Sequence, residues 1–326
     1  MSQRALVLRA LGLGDLLTGV PALRALRRAL PGHELVLAAP EALDPLVRFA
    51  GAVDTLLPTG ELEPVPWSGP APEIAIDLHG NGPASKGLLE ALCPGRLVAF
   101  AGPGSDGRPI VGPVWDSADH ERARWCRLIA ETFDVPADPD DLVLARPDRT
   151  AAVTDAVVVH VGAAAPSRRW PEERFAAVAG WARSRGHRVV LTGSASEAPA
   201  AVRVAAAAGV PDVDVLAGRT DLAELAALVG AARLLVAGDT GVAHLASAYR
   251  TPSVLLFGPV PPEQWGPPPS GPHTVLWHGS GRGDPHGLEV DPALLRISVD
   301  EVVAAMAFRL GPTPATPVLR QSTATS

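Results

Sequence analysis

The chain has 326 residues, with 28 basic and 35 acidic side chains, a formal net charge of −7 and 47% hydrophobic residues. An acidic balance without a basic stretch excludes the electrostatic footprint of a protein that binds nucleic acid or an anionic membrane surface, and the length allows one or two domains with substantial cores. The 28 cations are arginines except for one lysine, Lys86, and this skew, with 32 Gly and 34 Pro, reads as the codon bias of GC-rich coding sequence.

The segment 1–30 is apolar but interrupted by Arg9, Asp15 and Arg24, with no clean cleavage site, so it does not read as a signal peptide. No run of uncharged apolar residues is long enough to span a bilayer. Cys93 and Cys126 form no CxxC pair and support neither a disulfide framework nor a thiolate metal site. A soluble cytoplasmic protein is expected, with at most peripheral membrane contact.

In chain order, residues 5–9, 34–38, 74–78 and 97–100 read as buried strands. Between the first two, Leu16, Val20, Leu23 and Leu30 recur at helical spacing, and Pro21 either kinks that helix or starts its main run. Residues 135–155 are rich in Pro and Asp and read as a linker. Beyond it come strand 156–161, helix 172–185, strand 188–192, helix 197–208, strand 214–216 and helix 222–229. Strand 233–237, a short helix from Val242 and strand 253–257 follow, with a last helix over 302–308. Asp221 with Glu224 and Ser298 with Glu301 have capping-box spacing. Such alternation predicts parallel sheets covered on both faces: two doubly wound α/β domains, 1–150 and 151–298, facing across a cleft. A closing helix at 299–310 and a disordered tail at 311–326 complete the expectation.

Four segments carry candidate chemistry. In RALGLGDLL a strand passes through Gly12 and Gly14 into a helix opening near Asp15. This is GxG without the third glycine of a dinucleotide fingerprint, and Asp15 is either a helix cap or a carboxylate acting as general base. In HVGAAAPSRRWP a strand ends at Gly162, and Arg168 and Arg169 precede a helix start, an arrangement that suits a phosphate or a plain surface arginine pair. In LLVAGDTGVAHLASA the amides around Thr240 and Gly241 converge at a helix amino terminus, Asp239 holds the turn, and His244 lies one turn further on. In TGSASE, Glu197 opens a helix after a strand, as an acceptor for ribose hydroxyls or as a first-turn acid. His273, His278, Asp284 and His286 are irregularly spaced and make no metal motif, and GxSxG, GxxxxGK[ST] and HExxH are all missing.

Together, Arg9, Leu13, Gly14, Asp15, Leu16, Leu17 and Pro21, then RRWPEERFAAVA, TGSASE, GDTGVAHLASA and LFGPVPPEQWGP resemble glycosyltransferase family nine, the heptosyltransferase-like enzymes. The resemblance runs from about residue 5 to residue 308. It implies a GT-B fold of two Rossmann-like domains, an acceptor-binding first and a donor-binding second, with the last helix packing back on the first. It also implies inverting transfer from a nucleotide diphosphate sugar, typically ADP-heptose, to a glycan, glycolipid or small-molecule acceptor, without metal or other cofactor.

On the matching positions the resemblance implies Asp15 as the catalytic base, with Gly14 shaping its turn. It implies Gly14, Gly162, Arg168, Glu197, Asp239, Thr240, Gly241 and His244 as donor-binding residues, with Arg168 where members often carry a phosphate-binding lysine. Ala163 and Ala164 stand where some members have hydroxyl residues. The competing readings are a GT-B enzyme using a UDP or GDP sugar, a nucleotide-sugar binding protein without turnover, and a nicotinamide-dependent oxidoreductase. Asp15 speaks against the inactive binder and the missing third glycine against the oxidoreductase.

Overall fold

A computed structural model describes residues 3–311; of the tail expected at 311–326, residues 312–326 lie outside the described residues. The first unit runs β1 (Gln3–Leu8), α1 (Leu13–Ala29), β2 (His33–Ala39), α2 (Asp44–Ala50), β3 (Thr55–Pro58), β4 (Ile74–Asp77), α3 (Pro83–Glu90) and β5 (Arg96–Val98). A two-stranded ribbon of β6 (Gly102–Pro103) and β7 (Pro109–Ile110) and the helix α4 (Glu121–Phe133) complete it. Its five main strands are parallel in the order β3-β2-β1-β4-β5. The order reverses between β1 and β4, which opens a crevice at their carboxyl ends.

The second unit runs β8 (Val157–His160), α5 (Glu172–Ser184), β9 (Val189–Thr192), α6 (Ala198–Ala208), α7 (Leu222–Gly230), β10 (Leu234–Gly238) and α8 (Gly241–Tyr249). It continues through β11 (Ser253–Phe257), α9 (Pro262–Trp265), β12 (His273–Trp277), α10 (Pro292–Arg296) and α11 (Val299–Leu310). Its strands are parallel in the order β12-β11-β10-β8-β9. The strand expected at 214–216 is reduced to one bridge, Leu191 with Val215, next to β9, because residues 212–214 wind into a 3-10 turn instead. Counting that bridge as a vestigial strand restores the Rossmann order, so the two sheets have the same plan.

Pro21 lies inside α1, whose first eight residues precede it, so it does not start the helix. Leu16, Leu17, Val20, Leu23 and Leu26 are all buried, because α1 packs on its own sheet, on α4 and on α8 of the second unit. One continuous apolar cluster therefore runs from Val7, Leu37 and Ile76 through α1 and α8 to Leu235, Leu255 and Phe257. The two sheets share a core along the faces turned toward each other. Residues 134–156 connect them without helix or strand and touch both, Ala145 N donating to Phe49 O (2.9 Å) and Leu144 N to Ala248 O (3.4 Å).

Both capping boxes form, at Asp221 with Glu224 and at Ser298 with Glu301, and the latter starts the last helix three residues earlier than its apolar pattern suggests. That helix does not pack back on the first unit as the resemblance implied. Val302, Ala305, Met306 and Leu310 form a stripe that fills the outer face of the second sheet beside α5, and Arg309 bonds Thr274 Oγ1 (2.8 Å). The buried stripe of this helix is spent on its own sheet, while Phe308 stays exposed.

Candidate active site

Arg9 organises the first half of the site. It follows β1, is wholly buried, and lies along α1 where Gly19 leaves room: a Cβ there would come within 2.8 Å of its Nε. Nε donates to the main-chain oxygen of Asp15 (2.5 Å), Nη2 to Thr18 Oγ1 (3.1 Å) and Glu121 Oε1 (3.2 Å), and Nη1 to Leu78 O. Glu121 also accepts from Trp125 Nε1 (2.6 Å) and from Arg124. A buried guanidinium is tolerable only with its donors so satisfied, and this knot fixes the β1–α1 turn.

Asp15 sits in the first turn of α1 but is not its cap, a position held by Gly12. The side chain is 30% exposed, with Oδ1 4.0 Å from Arg9. Burial raises its pKa above the usual carboxylate value; Arg9 opposes that rise and Glu121 adds to it.

Opposite lies the amino terminus of α8. A Cβ on Gly14 would stand 3.1 Å from His244 Cδ2, and one on Gly241 would stand 2.8 Å from Leu13 Cβ, so two glycines let the two helix starts touch. Thr240 precedes α8 with no side-chain cap bond, and α8 has no acid in its first turn. Its amides and dipole are free for an anion. Arg168 reaches the same place, with Nη1 3.4 Å from Asp239 O and 3.8 Å from Asp239 Oδ2. Burial drives Asp239 up to about 6, Arg168 opposing and Asp15 contributing from across the cleft. His244 is held down to about 3, first by burial and then by the neighbouring guanidiniums of Arg122 and Arg168, so its ring is neutral. Trp265 meets that ring edge to face at 5.9 Å.

Three buried polar atoms here have no partner among the described residues: Thr240 Oγ1, Arg168 Nε and Ser167 Oγ. Orphaned donors and hydroxyls of this kind mark a place completed by a ligand or water. Ser167 stands in the loop where Ala163 and Ala164 lack hydroxyls; sequence reading passed over it as one small residue among several. His120 and Arg122 were also missed. His120 Nε2 (3.0 Å) and Arg122 Nη1 (2.7 Å) both donate to Gly266 O, a clasp from α4 onto the segment carrying Trp265. Only the fold, which brings residues 120 and 266 together, reveals it.

Gly162 and Glu197 form a pair of their own. They follow the adjacent strands β8 and β9, and a Cβ on Gly162 would overlap the Glu197 carboxylate at about 2 Å. Glu197 accepts from Ser194 N (2.7 Å) and so also steadies its own turn. Thus Asp15, Gly14, Arg168, Asp239, Thr240, Gly241 and His244 converge at one point between the units, while Gly162 and Glu197 lie farther along the second sheet's carboxyl edge. Among the described residues no group of three or more His, Cys, Asp or Glu is arranged to hold a metal, and no helix is long and apolar enough to cross a membrane.

Residues 116–281 match the family described as glycosyltransferase family 9 (heptosyltransferase). Lipopolysaccharide heptosyltransferase 1 of Pseudomonas aeruginosa is 30% identical over 289 residues, covering 79% of each chain. The chain belongs to glycosyltransferase family 9. A further family 9 relative, lipooligosaccharide heptosyltransferase 2 of Haemophilus influenzae, is 30% identical over 154 residues, spanning 43% of this chain and 44% of that one. The fold agrees: the structure of E. coli ADP-heptose lps heptosyltransferase II superposes with a TM-score of 0.73 at 20% identity, covering 94% of this chain and 98% of that one. The family 9 fold is GT-B, and the chain is a glycosyltransferase.

Proposed function

We propose that this glycosyltransferase moves a heptose-type sugar from ADP-heptose to a hydroxyl of a glycan acceptor, with inversion, the second unit holding the donor and the first the acceptor. The observation that carries the reading is the contact between the two helix starts: Asp15 on α1 faces the free amino terminus of α8 and Arg168. A base and a diphosphate cradle are thereby held on opposite sides of one point. The names of the relatives supply the sugar and the nucleotide.

Asp15 takes the proton from the acceptor hydroxyl as its oxygen attacks the anomeric carbon. The bond to the diphosphate breaks on the opposite face, and the charge growing on the leaving oxygens meets Arg168, the α8 amides and the Thr240 hydroxyl. His244 donates from its neutral ring, and Asp239 orients Arg168. Gly162 gives Glu197 access to the ribose. The charges developing in transfer are thus met by side chains and amides of this chain.

Calorimetric titration with ADP-heptose, ADP, UDP-glucose and GDP-mannose tests the donor. ADP compounds are expected to bind at least tenfold more tightly than the others, and Asp15→Asn to lower transfer by about 10²–10⁴-fold while ADP affinity stays within twofold. Preferential binding of the UDP or GDP sugar reassigns the donor, and normal turnover in Asp15→Asn removes the base.

A further inference from the structure

His244 is only 8% exposed, yet its ring forms no hydrogen bond among the described residues, unlike the rings of His120, His160, His273 and His278. Its orientation is therefore set by what it packs against. On one side stands Gly14, where a Cβ would lie 3.1 Å from His244 Cδ2 and 3.6 Å from Nε2, so that edge of the ring faces the turn carrying Asp15. On the other side stands Trp265, edge to face at 5.9 Å and 62°. A ring N–H that must point at a phosphate oxygen loses most of its worth if it swings away, since hydrogen bonds weaken steeply below about 120°.

Trp265 ends α9, a single turn opened by Pro262 and closed by Gly266 N donating to Pro262 O (2.6 Å). Only glycine fits at 266, because a Cβ there would stand 2.5 Å from Pro262 O. So short a helix does not hold itself. The clasp from the first unit ties it down, with His120 Nε2 and Arg122 Nη1 both on Gly266 O. The His120 ring also caps α4: its Nδ1 accepts from Arg122 N (3.2 Å), which leaves the ring proton on Nε2, the nitrogen that meets Gly266. Arg122 is buried, and its other donors go to Pro139 O (3.1 Å) and Asp140 Oδ1 (3.3 Å), so the guanidinium cannot turn away.

Between these two residues Glu121 accepts from Arg9, which grips the main-chain oxygen of Asp15. Three successive residues at the start of α4 thus hold both sides of the cleft. The middle one secures the turn of Asp15, and the outer two secure the indole that packs on His244.

We propose that Trp265 is a positioning residue that aims the His244 ring at the donor diphosphate, and that His120 and Arg122 hold it there from the first unit. The proposal rests on the reading of His244 as a hydrogen-bond donor to that diphosphate. The donor cradle of the second unit is in this way completed by residues of the first, and an indole pressed on one face of the ring replaces the hydrogen bond that would otherwise orient it.

A double-mutant cycle on the full chain tests this, read by isothermal titration with ADP, a probe without the sugar, so that stacking of Trp265 on a heptose does not enter. Trp265→Leu and His120→Asn are each made in the wild-type protein and in His244→Ala. His244→Ala alone is expected to lower ADP affinity by about tenfold or more, the worth of a hydrogen bond to a charged group. Trp265→Leu is expected to cost about three- to tenfold while the ring is present and less than about twofold once it is gone, because a residue acting through another then has nothing to act on. Trp265→Phe, which keeps an aromatic neighbour, should stay within about twofold of wild type. His120→Asn keeps a good cap on α4 but no longer reaches Gly266 O, and should cost roughly two- to fourfold, again only with the ring present. A loss from Trp265→Leu that is the same with and without His244, or no loss in the wild-type background, overturns the positioning role, and the same outcomes for His120→Asn remove the clasp from it. Unchanged ADP affinity in His244→Ala instead sinks the reading of His244 as a diphosphate donor, and the proposal with it.

Discussion

The amino termini of α1 and α8 meet across the cleft, each following the carboxyl end of a central parallel strand, yet they are electrically opposite. The first carries its own acid, Asp15, in the opening turn; the second carries none and leaves the Thr240 hydroxyl bare. A helix start is an anion site only when the chain has not already filled it with a carboxylate. One fold plan, repeated, thereby places a carboxylate at one helix start and leaves the other without one.

The largest expected effect that sharpens this contrast comes from Arg168→Ala. The variant removes the guanidinium beside the bare helix start, and ADP affinity is expected to fall by about 10–100-fold, the worth of a charge-assisted hydrogen bond of ~1.5–3 kcal/mol. Isothermal titration reads it, and unchanged affinity would show that α8 alone holds the diphosphate. A smaller effect is expected from Gly241→Ala. Its new Cβ would stand 2.8 Å from Leu13 Cβ, so the contact between the units must open, at about 1–3 kcal/mol of stability. Thermal unfolding measures that loss, and transfer should drop more than ADP binding because Asp15, the proposed base, is moved away. Gly14→Ala, which meets only a ring edge at 3.1 Å, should be milder.

The smallest effect is in pH. His120, His160 and His273 are depressed to about 4 and His244 to about 3, burial being the first cause in each, so their folded forms are neutral. Their contribution to stability is complete above the unfolded value of about 6.5 and is lost as pH falls toward 4. Asp77 and Asp239, raised to about 6 by burial, act in the opposite sense over an overlapping range, favouring the fold as they take up protons. Four imidazoles against two carboxylates predict a net fall in melting temperature between pH 6.5 and 4.5, flattened in His244→Asn. A melting temperature constant across that range would contradict the buried, neutral state of these rings.

The alternation of strands and helices, both capping boxes and the site glycines were legible because they depend on local spacing. Asp15 was not decided by spacing, since a cap and a base occupy the same place in a sequence; the structure gives the cap to Gly12 and leaves the carboxylate facing the cleft. Residues 214–216 were apolar enough for a strand but too few to compete with the adjoining 3-10 turn. The last helix shows the limit of analogy, because its apolar stripe matches either unit on paper and only packing selects the second. His120, Arg122 and Ser167 carry no local signal at all; their partners, or their lack of partners, arise from segments distant along the chain.

The Arg9–Glu121 pair joins residues separated by 112 positions, and it constrains how this protein can change over generations. Losing either member alone strands the other's charge in the interior, a loss of about 3–5 kcal/mol, whereas exchanging both for apolar residues of similar size can be close to neutral. The two sites are therefore epistatic, and variation should cross them in concert or not at all. A library scanned one position at a time would score both as intolerant, while a paired library would recover folded sequences whose first loop is no longer gripped through the oxygen of Asp15.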